Sequence, residues 1–486
     1  IDEHISGYGR RYGEVFAFHG TIVVAQGDEV LVRRSYGEAV RRGDAGGPIP
    51  HRADQRFRLG TLSQQITASA VLLLVERGLL GLDDPIRKHL PGYPEVGDRI
   101  TIRHLLSHTS GIPSFTDDPL FDGWRGQPHT TSELLDRFKE LPLEFQPGAD
   151  FDPSNSGYAV LGAVIEAVSG VSHGEYIRRE IFEPLGMTRS SVGEPSGGAM
   201  VIPGYLFDED EALNAAKSAR VDLTAFGAAG DVVTTADDLT RWASALFGGE
   251  LLRPETVELM LTPVTEDGYA LGWILGDANG QRIAEHPGGS EGVNAAIRYY
   301  RSDHALVVAV ANNDVIDCRE MVEKVGDLAH GRPAAWPLEY EEVTPDAARF
   351  PLYVGEYALS DESRESLARY FEAEEIDRLA TAQVLVDGGR LFFWVPGHGT
   401  KWMHARDGDS FFFFKDASRT TATFMLELRA DEHVVNPGAF RQGGERPGGA
   451  VDLGPASALI LHQGALDIVL ERRAGSDAEP LVLPSP

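Results

Sequence analysis

Thr61 and Gln64 stand one helical turn apart at the start of a long apolar stretch, TLSQQITASAVLLLVERG (61–78). A hydroxyl such as that of Thr61 is a weak nucleophile until a neighbouring base removes its proton. Gln64 carries an amide, which accepts no proton at any relevant pH. Ser63 offers a second hydroxyl, but the residue three positions further on is the apolar Ile66. The spacing therefore predicts a hydroxyl at the start of a helix without a general base beside it.

Other polar side chains that can do chemistry stand in Gly- and Pro-containing blocks. His286 has a pKa range suited to proton transfer near neutrality, or it only holds a substrate or a strand. Asp152, Asp231 and Glu291 can each supply a carboxylate; alternatively, Asp152 and Glu291 cap loops and Asp231 caps the segment that follows it. Asn155 is either a polar wall of a site or a structural bridge between loops.

The elements that must position these residues follow a pattern of strands, then many helices, then strands. Residues 20–38 predict two strands around a Gly-Asp turn, and 61–78 predicts a buried central helix that ends at Gly78. This order predicts an α+β fold, an antiparallel sheet flanked by helices with a helical lobe. Further helices are predicted at 101–108, 132–141, 156–170 and 234–249, and further strands at 269–275, 282–286, 293–300 and 304–311.

The texture of the sequence changes near residue 333. RPAAWPLEYEEVTPDAARFP is rich in Pro and Glu, which is typical of a linker. Beyond a short helical stretch (361–380), strand-like runs alternate with Asp-Gly and Gly-Gly turns, which favours an up-and-down β-barrel or a sandwich. We therefore predict a first domain at 1–335, a linker at 336–350 and a β-domain at 351–486.

Composition excludes some classes of partner. The 486 residues include 44 basic and 74 acidic side chains, a net charge of −30, and such a surface repels nucleic acid and anionic lipid. One cysteine, Cys318, allows no intrachain disulfide, and no apolar run reaches the roughly 18 residues that a membrane span needs. We expect a soluble protein, cytoplasmic or secreted, whose leader has been removed before Ile1 if it is secreted. The oligomeric state stays open.

Six blocks of the sequence resemble the serine β-lactamase and penicillin-binding-protein family, in the family's order and over about 300 residues. The first resembles the family's F-x-I-G-S-V-S-K-x-F-T-A signature. The blocks are FRLGTLSQQITASAVLLLVERGLLGLDDPI, IRHLLSHTSGIP, PGADFDPSNSGYAVLGAVIEAVSG, IFEPLGMTRSS, AAGDVVTTADDLTRW and EHPGGSEGVNAAI. The resemblance, which extends to class C β-lactamases, DD-peptidases, esterases and D-aminopeptidases, implies that family's fold.

The resemblance also implies which positions of this chain form the site. The family's S-x-x-K motif falls on Thr61 and Gln64, and its Y-x-N motif falls on Pro153 and Asn155, so the nucleophilic Ser, the Lys and the proton-shuttling Tyr are all replaced. Thr61 keeps a hydroxyl but adds a methyl group that crowds attack. Loss of a general base typically costs about 10²–10⁴-fold in rate, so efficient acyl-enzyme turnover is not expected.

The resemblance implies that the H-x-G motif and the oxyanion hole of the family are retained. The family's K-T-G or H-x-G motif falls on His286-Pro287-Gly288. The resemblance implies an oxyanion hole of the backbone N–H groups of Thr61 and Gly289, which survive side-chain replacement. Asp231 stands where the family usually has Gly. The SHTSG block, with His108, is expected to serve packing and turns.

Three functions stay open. The first is a repurposed non-hydrolytic enzyme that catalyses isomerisation, cyclisation or elimination on a carbonyl-containing small molecule, for example in a biosynthetic pathway. The second is a pseudoenzyme that binds a small-molecule or peptide-like ligand or a partner. The third is a residual hydrolase with Thr61 as nucleophile. No metal cluster, phosphate loop or dinucleotide fingerprint is visible in the sequence, so no cofactor is expected.

LYVGEYALSD (352–361) resembles the start of the lipocalin-like domain that often follows this fold. In relatives of the D-aminopeptidase type such a domain lends a loop to the mouth of the site. The aromatic segment FFWVPGHGTKW (392–402) is the candidate loop, and barrel core with a surface hairpin is the alternative.

Overall fold

The computed structural model describes two compact units, one up to residue 334 and one from residue 344. The division falls within the predicted linker, of which residues 336–343 lie outside the described residues; Ala347–Arg349 and Phe350–Tyr353 form two short helical turns. The described residues are 2–16, 18–42, 44, 46–207, 213–215, 221–314, 316–334, 344–368, 376–377, 380–387, 389–395, 399–405, 411–413, 421–428, 453–463 and 466–473.

The first unit is built on a six-stranded antiparallel sheet with the order β10-β11-β12-β13-β1-β2. Its strands are β1 Gly20–Gln26, β2 Glu29–Tyr36, β10 Ile274–Ala278, β11 Gln281–Ser290, β12 Val293–Tyr300 and β13 Ala305–Ala311. Short strands lie outside this sheet: β3 Glu38–Val40, β4 Ile49–Pro50, β5 Phe57–Arg58, β6 Ser191–Val192, β7 Tyr205–Phe207, β8 Leu213–Ala215 and β9 Val232–Thr234.

Helices cover both faces of the sheet, so its strands are apolar on both sides. Every residue of β13 is buried; Val308 and Val310 belong to the main core, and Val307 and Ala309 to a second core on the opposite face. The helices of this unit are α1 Asp2–Phe16, α2 Ser63–Glu76, α3 Ile86–His89, α4 Ile102–Leu106, α5 Phe121–Trp124, α6 Thr131–Leu135, α7 Asn155–Ser169, α8 His173–Ile177, α9 Ala236–Phe247, α10 Pro254–Met260 and α11 Cys318–Ala329.

The central helix predicted at 61–78 is confirmed, with a 3₁₀ turn at Gly60–Leu62 leading into α2. Residues 63–74 are buried on every side, as the apolar stretch predicted. Gly170 ends α7 in the left-handed conformation (φ 74°), and Thr235 caps α9 through its side chain. The α+β fold with a helical lobe is therefore confirmed.

Two predicted elements are wrong in extent. The strand predicted at 269–275 begins only at Ile274, because the chain turns at Gly272 (φ 83°) and the Ala270 N–H donates to the Trp273 carbonyl. The helix predicted at 132–141 ends as an α-helix at Leu135 and continues as turns. Helix α1 was not predicted, because three glycines weaken its helical propensity.

The second unit is a closed antiparallel barrel of eight strands, and the barrel prediction is confirmed. Strand β14 pairs with both β15 and β21, which closes the barrel. Its strands are β14 Gly355–Leu359, β15 Thr381–Asp387, β16 Arg390–Val395, β17 Gly399–Ala405, β18 Phe411–Phe413, β19 Thr421–Leu428, β20 Leu453–Gln463 and β21 Leu466–Arg472, with helices α12 Phe350–Tyr353 and α13 Asp361–Leu367.

Aromatic residues such as Tyr353, Tyr357 and Phe424 fill the core of the barrel unit. In the candidate loop 392–402, residues 396–398 lie outside the described residues, and the flanking residues form β16 and β17. None of the helices in the described part of the chain has the length and apolarity to cross a membrane.

Candidate active site

Two glycine contacts bring the start of the central helix against strand β11. Gly60 has φ 59°, and a Cβ atom at this position would lie 1.7 Å from the Gly289 carbonyl oxygen. A Cβ atom on Gly288 would lie 2.5 Å from the backbone nitrogen of Leu62. Strand β10 pairs with β11 only as far as Glu285, so residues 286–290 are free to face the helix. The two backbones therefore approach more closely than any other residue type allows.

This approach brings the predicted nucleophile position to the predicted oxyanion donor. The Gly289 N–H donates to the Thr61 Oγ1 at 3.3 Å. The Thr61 hydroxyl therefore already accepts a hydrogen bond from a backbone group that the sequence predicted for an oxyanion.

A cavity of about 40 Å³ lies beside Thr61, Gly289 and Glu291, and we call it the Thr61 cavity. Arg125 forms an ion pair with the Oε1 atom of Glu291 at its wall. The Oε2 atom of Glu291 is buried and has no hydrogen-bond partner within the described chain. Glu291 thus lines the cavity that contains Thr61 and has one carboxylate oxygen without a partner in the described chain. Its role in the site stays a prediction.

Gln64 takes part in a chain of hydrogen bonds that occupies both atoms of its amide. Its Nε2 donates to Asn155 Oδ1 at 3.0 Å, and its Oε1 lies 3.2 Å from His108 Nε2. Asn155 Nδ2 donates in turn to Thr116 Oγ1 at 2.9 Å. The Ser154 N–H, next to Pro153, donates to His108 Nδ1 at 3.1 Å.

The direction of this chain is fixed by its backbone end. Because the Ser154 N–H is a donor, His108 Nδ1 accepts and Nε2 carries the proton that it donates to Gln64. Burial, with a smaller effect of His286, lowers the pKa of His108 to about 3, so the ring is neutral. Each acceptor atom in this series of hydrogen bonds already receives a hydrogen bond. The series therefore offers Thr61 no base.

His286 is also neutral and engaged. Burial lowers its pKa to about 4, although its contact with Pro287 acts in the opposite direction. Its Nδ1 donates to the Pro287 carbonyl, and its Nε2 therefore accepts from the Tyr269 hydroxyl at 3.2 Å. The catalytic role predicted for His286 stays a prediction, and in this arrangement neither ring nitrogen is free to take a proton.

Asp152 is exposed and lies in an acidic group with Asp117 and Glu144. Its backbone N–H donates to the His108 carbonyl, while its carboxylate adds to burial in raising the pKa of Asp117 and of Glu144. No contact with Thr61 is recorded for Asp152 in the described chain.

Asp231 faces a different part of the unit. Its Oδ2 lies 2.7 Å from His173 Nε2, and it lines a second cavity that does not include Thr61. The structure therefore does not bring Asp231 together with the other predicted site residues. The capping role weighed for it is also not seen, because Thr235 caps helix α9.

Sequence reasoning missed the part that His108 plays. Its expected role in a turn is confirmed by its φ of 57°, but the same turn aims the ring at Gln64. The signal was present as a histidine among small polar residues in SHTSG. Across the described residues, no three His, Cys, Asp or Glu side chains converge in a way that would hold a metal ion.

A family model described as Beta-lactamase matches residues 15–323. Among curated proteins, the chain is 28% identical over 423 residues to penicillin-binding protein 4* of Bacillus subtilis (strain 168), covering 81% of this chain and 88% of that protein. It is 36% identical over 179 residues to esterase EstB of Burkholderia gladioli, covering 34% and 44% of the two chains.

One similar solved structure covers nearly the whole chain. The octameric penicillin-binding protein homologue from Pyrococcus abyssi has a TM-score of 0.62 at 20% identity, covering 96% of this chain and 99% of that one. At this identity the likeness concerns the fold, and it includes both units of the present chain.

Proposed function

Since the chain belongs to the β-lactamase family, we propose that it is a non-acylating member, an enzyme that polarises a carbonyl group and moves the proton beside it. The observation that carries the proposal is the one-way chain of hydrogen bonds from Ser154 through His108 and Gln64 to Asn155. A hydroxyl nucleophile needs a base within hydrogen-bond reach. In our proposal Gln64, held in this series of hydrogen bonds, occupies the position where the family keeps its lysine.

The same site keeps the groups for a different reaction. The Gly289 N–H, once it is released from the Thr61 hydroxyl, is a donor that stabilises negative charge on a carbonyl oxygen. The Oε2 atom of Glu291 is a carboxylate oxygen without a hydrogen-bond partner in the described chain, in the same cavity. In our proposal the Glu291 carboxylate takes a proton from the carbon next to the carbonyl, the enolate oxygen is held by Gly289, and the proton returns to the enolate. Isomerisation and elimination both begin with this step.

The class of ligand follows from the relatives. One relative is named a penicillin-binding protein and another an esterase, so amides and esters are the carbonyl compounds to test first. At about 40 Å³ the Thr61 cavity holds a small group, such as a carbonyl and the carbon beside it. Arg58 and Arg125 at its wall favour a ligand with a partial or full negative charge.

A second candidate is a protein that binds such a ligand without converting it. The hydrogen bond from Gly289 to Thr61 favours this alternative, because a ligand carbonyl must displace the Thr61 hydroxyl before it is polarised. A binding protein needs only the cavity, and it loses nothing by the absence of a base.

Deuterium exchange separates these candidates. Ethyl phenylacetate and phenylacetamide, whose CH₂ groups lie beside a carbonyl, are incubated with the protein in D₂O, and exchange and hydrolysis are followed by NMR. We expect exchange at the CH₂ group without hydrolysis, and at least a 100-fold slower exchange in Glu291→Gln, since a missing base typically costs about 10²–10⁴-fold. Binding without exchange would favour the second candidate, and hydrolysis with an adduct on Thr61 would overturn both.

A further inference from the structure

A second cavity, of about 380 Å³, lies in the helical lobe of the first unit. We call it the His173 cavity. Glu166 on α7, His173 on α8 and the buried Asp231 before β9 form a cluster in its wall. His173 Nε2 lies 2.7 Å from Asp231 Oδ2, and His173 Nδ1 lies 3.5 Å from Glu166 Oε1. Both ring nitrogens therefore face a carboxylate.

Acidic groups outnumber basic groups in the cluster. Burial lowers the pKa of His173, but Asp231 and Glu166 outweigh this effect and raise it to about 10. Burial raises the pKa of Glu166, and its hydrogen bonds with His173 reverse this and lower it. Two carboxyl groups face one imidazole, so acidic groups outnumber the basic group at the cavity wall.

One oxygen of the cluster is left without a partner. Asp231 is 3% exposed, and its Oδ1 atom has no hydrogen-bond partner in the described chain, although Oδ2 is paired. A buried carboxylate oxygen without a donor costs free energy, so the site is incomplete without a group that supplies an N–H or O–H. The lining also includes polar side chains of the segment 129–132 and the apolar side chains of Leu134 and Ala159.

The His173 cavity is distinct from the Thr61 cavity, and the two are separated by a single segment. Thr224, Gly227 and Ala228 line the His173 cavity, whereas Leu223 and Phe226 line the Thr61 cavity. A 3₁₀ turn places these neighbours on opposite sides of the segment.

We propose that the His173 cavity is a second ligand site, which binds a small molecule carrying a protonated primary amine and an apolar body about the size of a six-membered ring. The ammonium group donates to the free oxygen of Asp231 and offsets the excess of acidic groups, and the apolar body packs on Leu134 and Ala159. Glu166 strengthens the binding through its charge, and an anionic ligand is repelled.

The probes are cyclohexylamine, cyclohexanol and cyclohexanecarboxylate, which share a ring and differ in charge. Binding to the full chain is measured by isothermal titration calorimetry at pH 7. We expect cyclohexylamine to bind at least tenfold more tightly than cyclohexanol, and cyclohexanecarboxylate not to bind. Equal affinities of the three compounds, or no binding of cyclohexylamine, would overturn the proposal.

Two variants test the location. Glu166→Gln removes a charge but keeps the His173–Asp231 pair, and Ser132→Trp places a bulky ring at the exposed rim of the cavity. Each is expected to weaken cyclohexylamine at least tenfold. Glu140→Gln removes one carboxylate from an exposed position that lines neither cavity, and it is the matched control with unchanged affinity. Equal loss in all three variants, or in none, would show that the amine does not bind there. The Thr61 cavity is untouched by these variants, so this result is independent of the proposed proton transfer.

Discussion

Two regions of the first unit hold histidines in different charge states. His108 and His286, near Thr61, are neutral, and burial holds their pKa values at about 3 and about 4. The side chain of His173 is 13% exposed, and although burial lowers its pKa, Asp231 and Glu166 raise it to about 10. The difference is the partners: backbone groups, an amide and a phenol in the first case, and two carboxylates in the second. Burial by itself therefore does not decide whether a histidine is charged.

The comparison has a consequence for chemistry. In this family the acyl reaction needs a proton-accepting group beside the nucleophile, and the His173 cluster lies in the other cavity. In the Thr61 cavity we assign proton transfer at carbon to Glu291, while the side chains of His108, Gln64 and Asn155 satisfy one another and hold a shape.

The largest expected effect comes from removing the partner of the charged histidine. Asp231→Asn leaves the imidazolium of His173 with a weaker partner, and breaking a buried ion pair costs about 3–5 kcal/mol. Urea denaturation at pH 7 measures the free energy of unfolding. The double variant His173→Gln with Asp231→Asn removes the charge as well, so it should regain most of the loss. A loss below about 1 kcal/mol in the single variant would mean that His173 is not charged.

The next effect is a difference in pH dependence between the two regions. The folded-state pKa values of His108 and His286 lie below 6.5, the ordinary value for histidine. As the pH falls below 6.5, each of these residues therefore lowers the free energy of unfolding by about 1.4 kcal/mol per pH unit. The pKa of His173 lies above 6.5, so its contribution is complete below pH 6.5 and is lost as the pH rises towards 10.

Single variants test which histidine causes the pH dependence of the free energy of unfolding in acid and which causes it in alkali. Replacing His286 by Gln should reduce the acid slope between pH 6.5 and 4.5, and replacing His173 by Gln should reduce the alkaline slope between pH 7 and 10. Free energies of unfolding are compared with those of the original chain at each pH. If the His286 variant alters only the alkaline slope, the charge states assigned to the two regions are reversed.

The smallest effect concerns the Thr61 hydroxyl. Thr61→Val keeps the shape but removes the acceptor for the Gly289 N–H, which should cost about 1 kcal/mol of unfolding free energy. Thr61→Ser keeps the acceptor and is the matched control, with a change below about 0.5 kcal/mol. A Thr61→Val variant as stable as the Thr61→Ser control would show that the hydroxyl does not occupy Gly289.

The sequence predicted the elements whose signals are local. The apolar helix from residue 61 and the strands of residues 20–38 follow from periodicity and turn residues, and the structure confirms them. Helix α1 could not be predicted, since it depends on long-range packing: Ile5 and Tyr8 are buried against the sheet, and Gly9 makes room for the ring of Tyr36.

The sequence predicted individual residues of the site, but not the networks in which a residue has several partners. The resemblance implied that Gln64 and Asn155 belong to one site, and a hydrogen bond joins them although they are 91 residues apart. The roles of His108 and His173 were not predicted, because neither stands at a catalytic position that the resemblance implies, and their partners lie 44 and 58 residues away. Position along the sequence gives no measure of such distances.

The most direct test is whether Thr61 is ever acylated. The protein is incubated with a penicillin and with a fluorophosphonate, and its intact mass is measured over several hours. We predict no added mass, while a variant carrying Thr61→Ser, Gln64→Lys and Pro153→Tyr regains labelling at residue 61. An adduct on Thr61 of the unaltered chain, located by peptide mapping, would contradict the account, because it would show that a base reaches this hydroxyl.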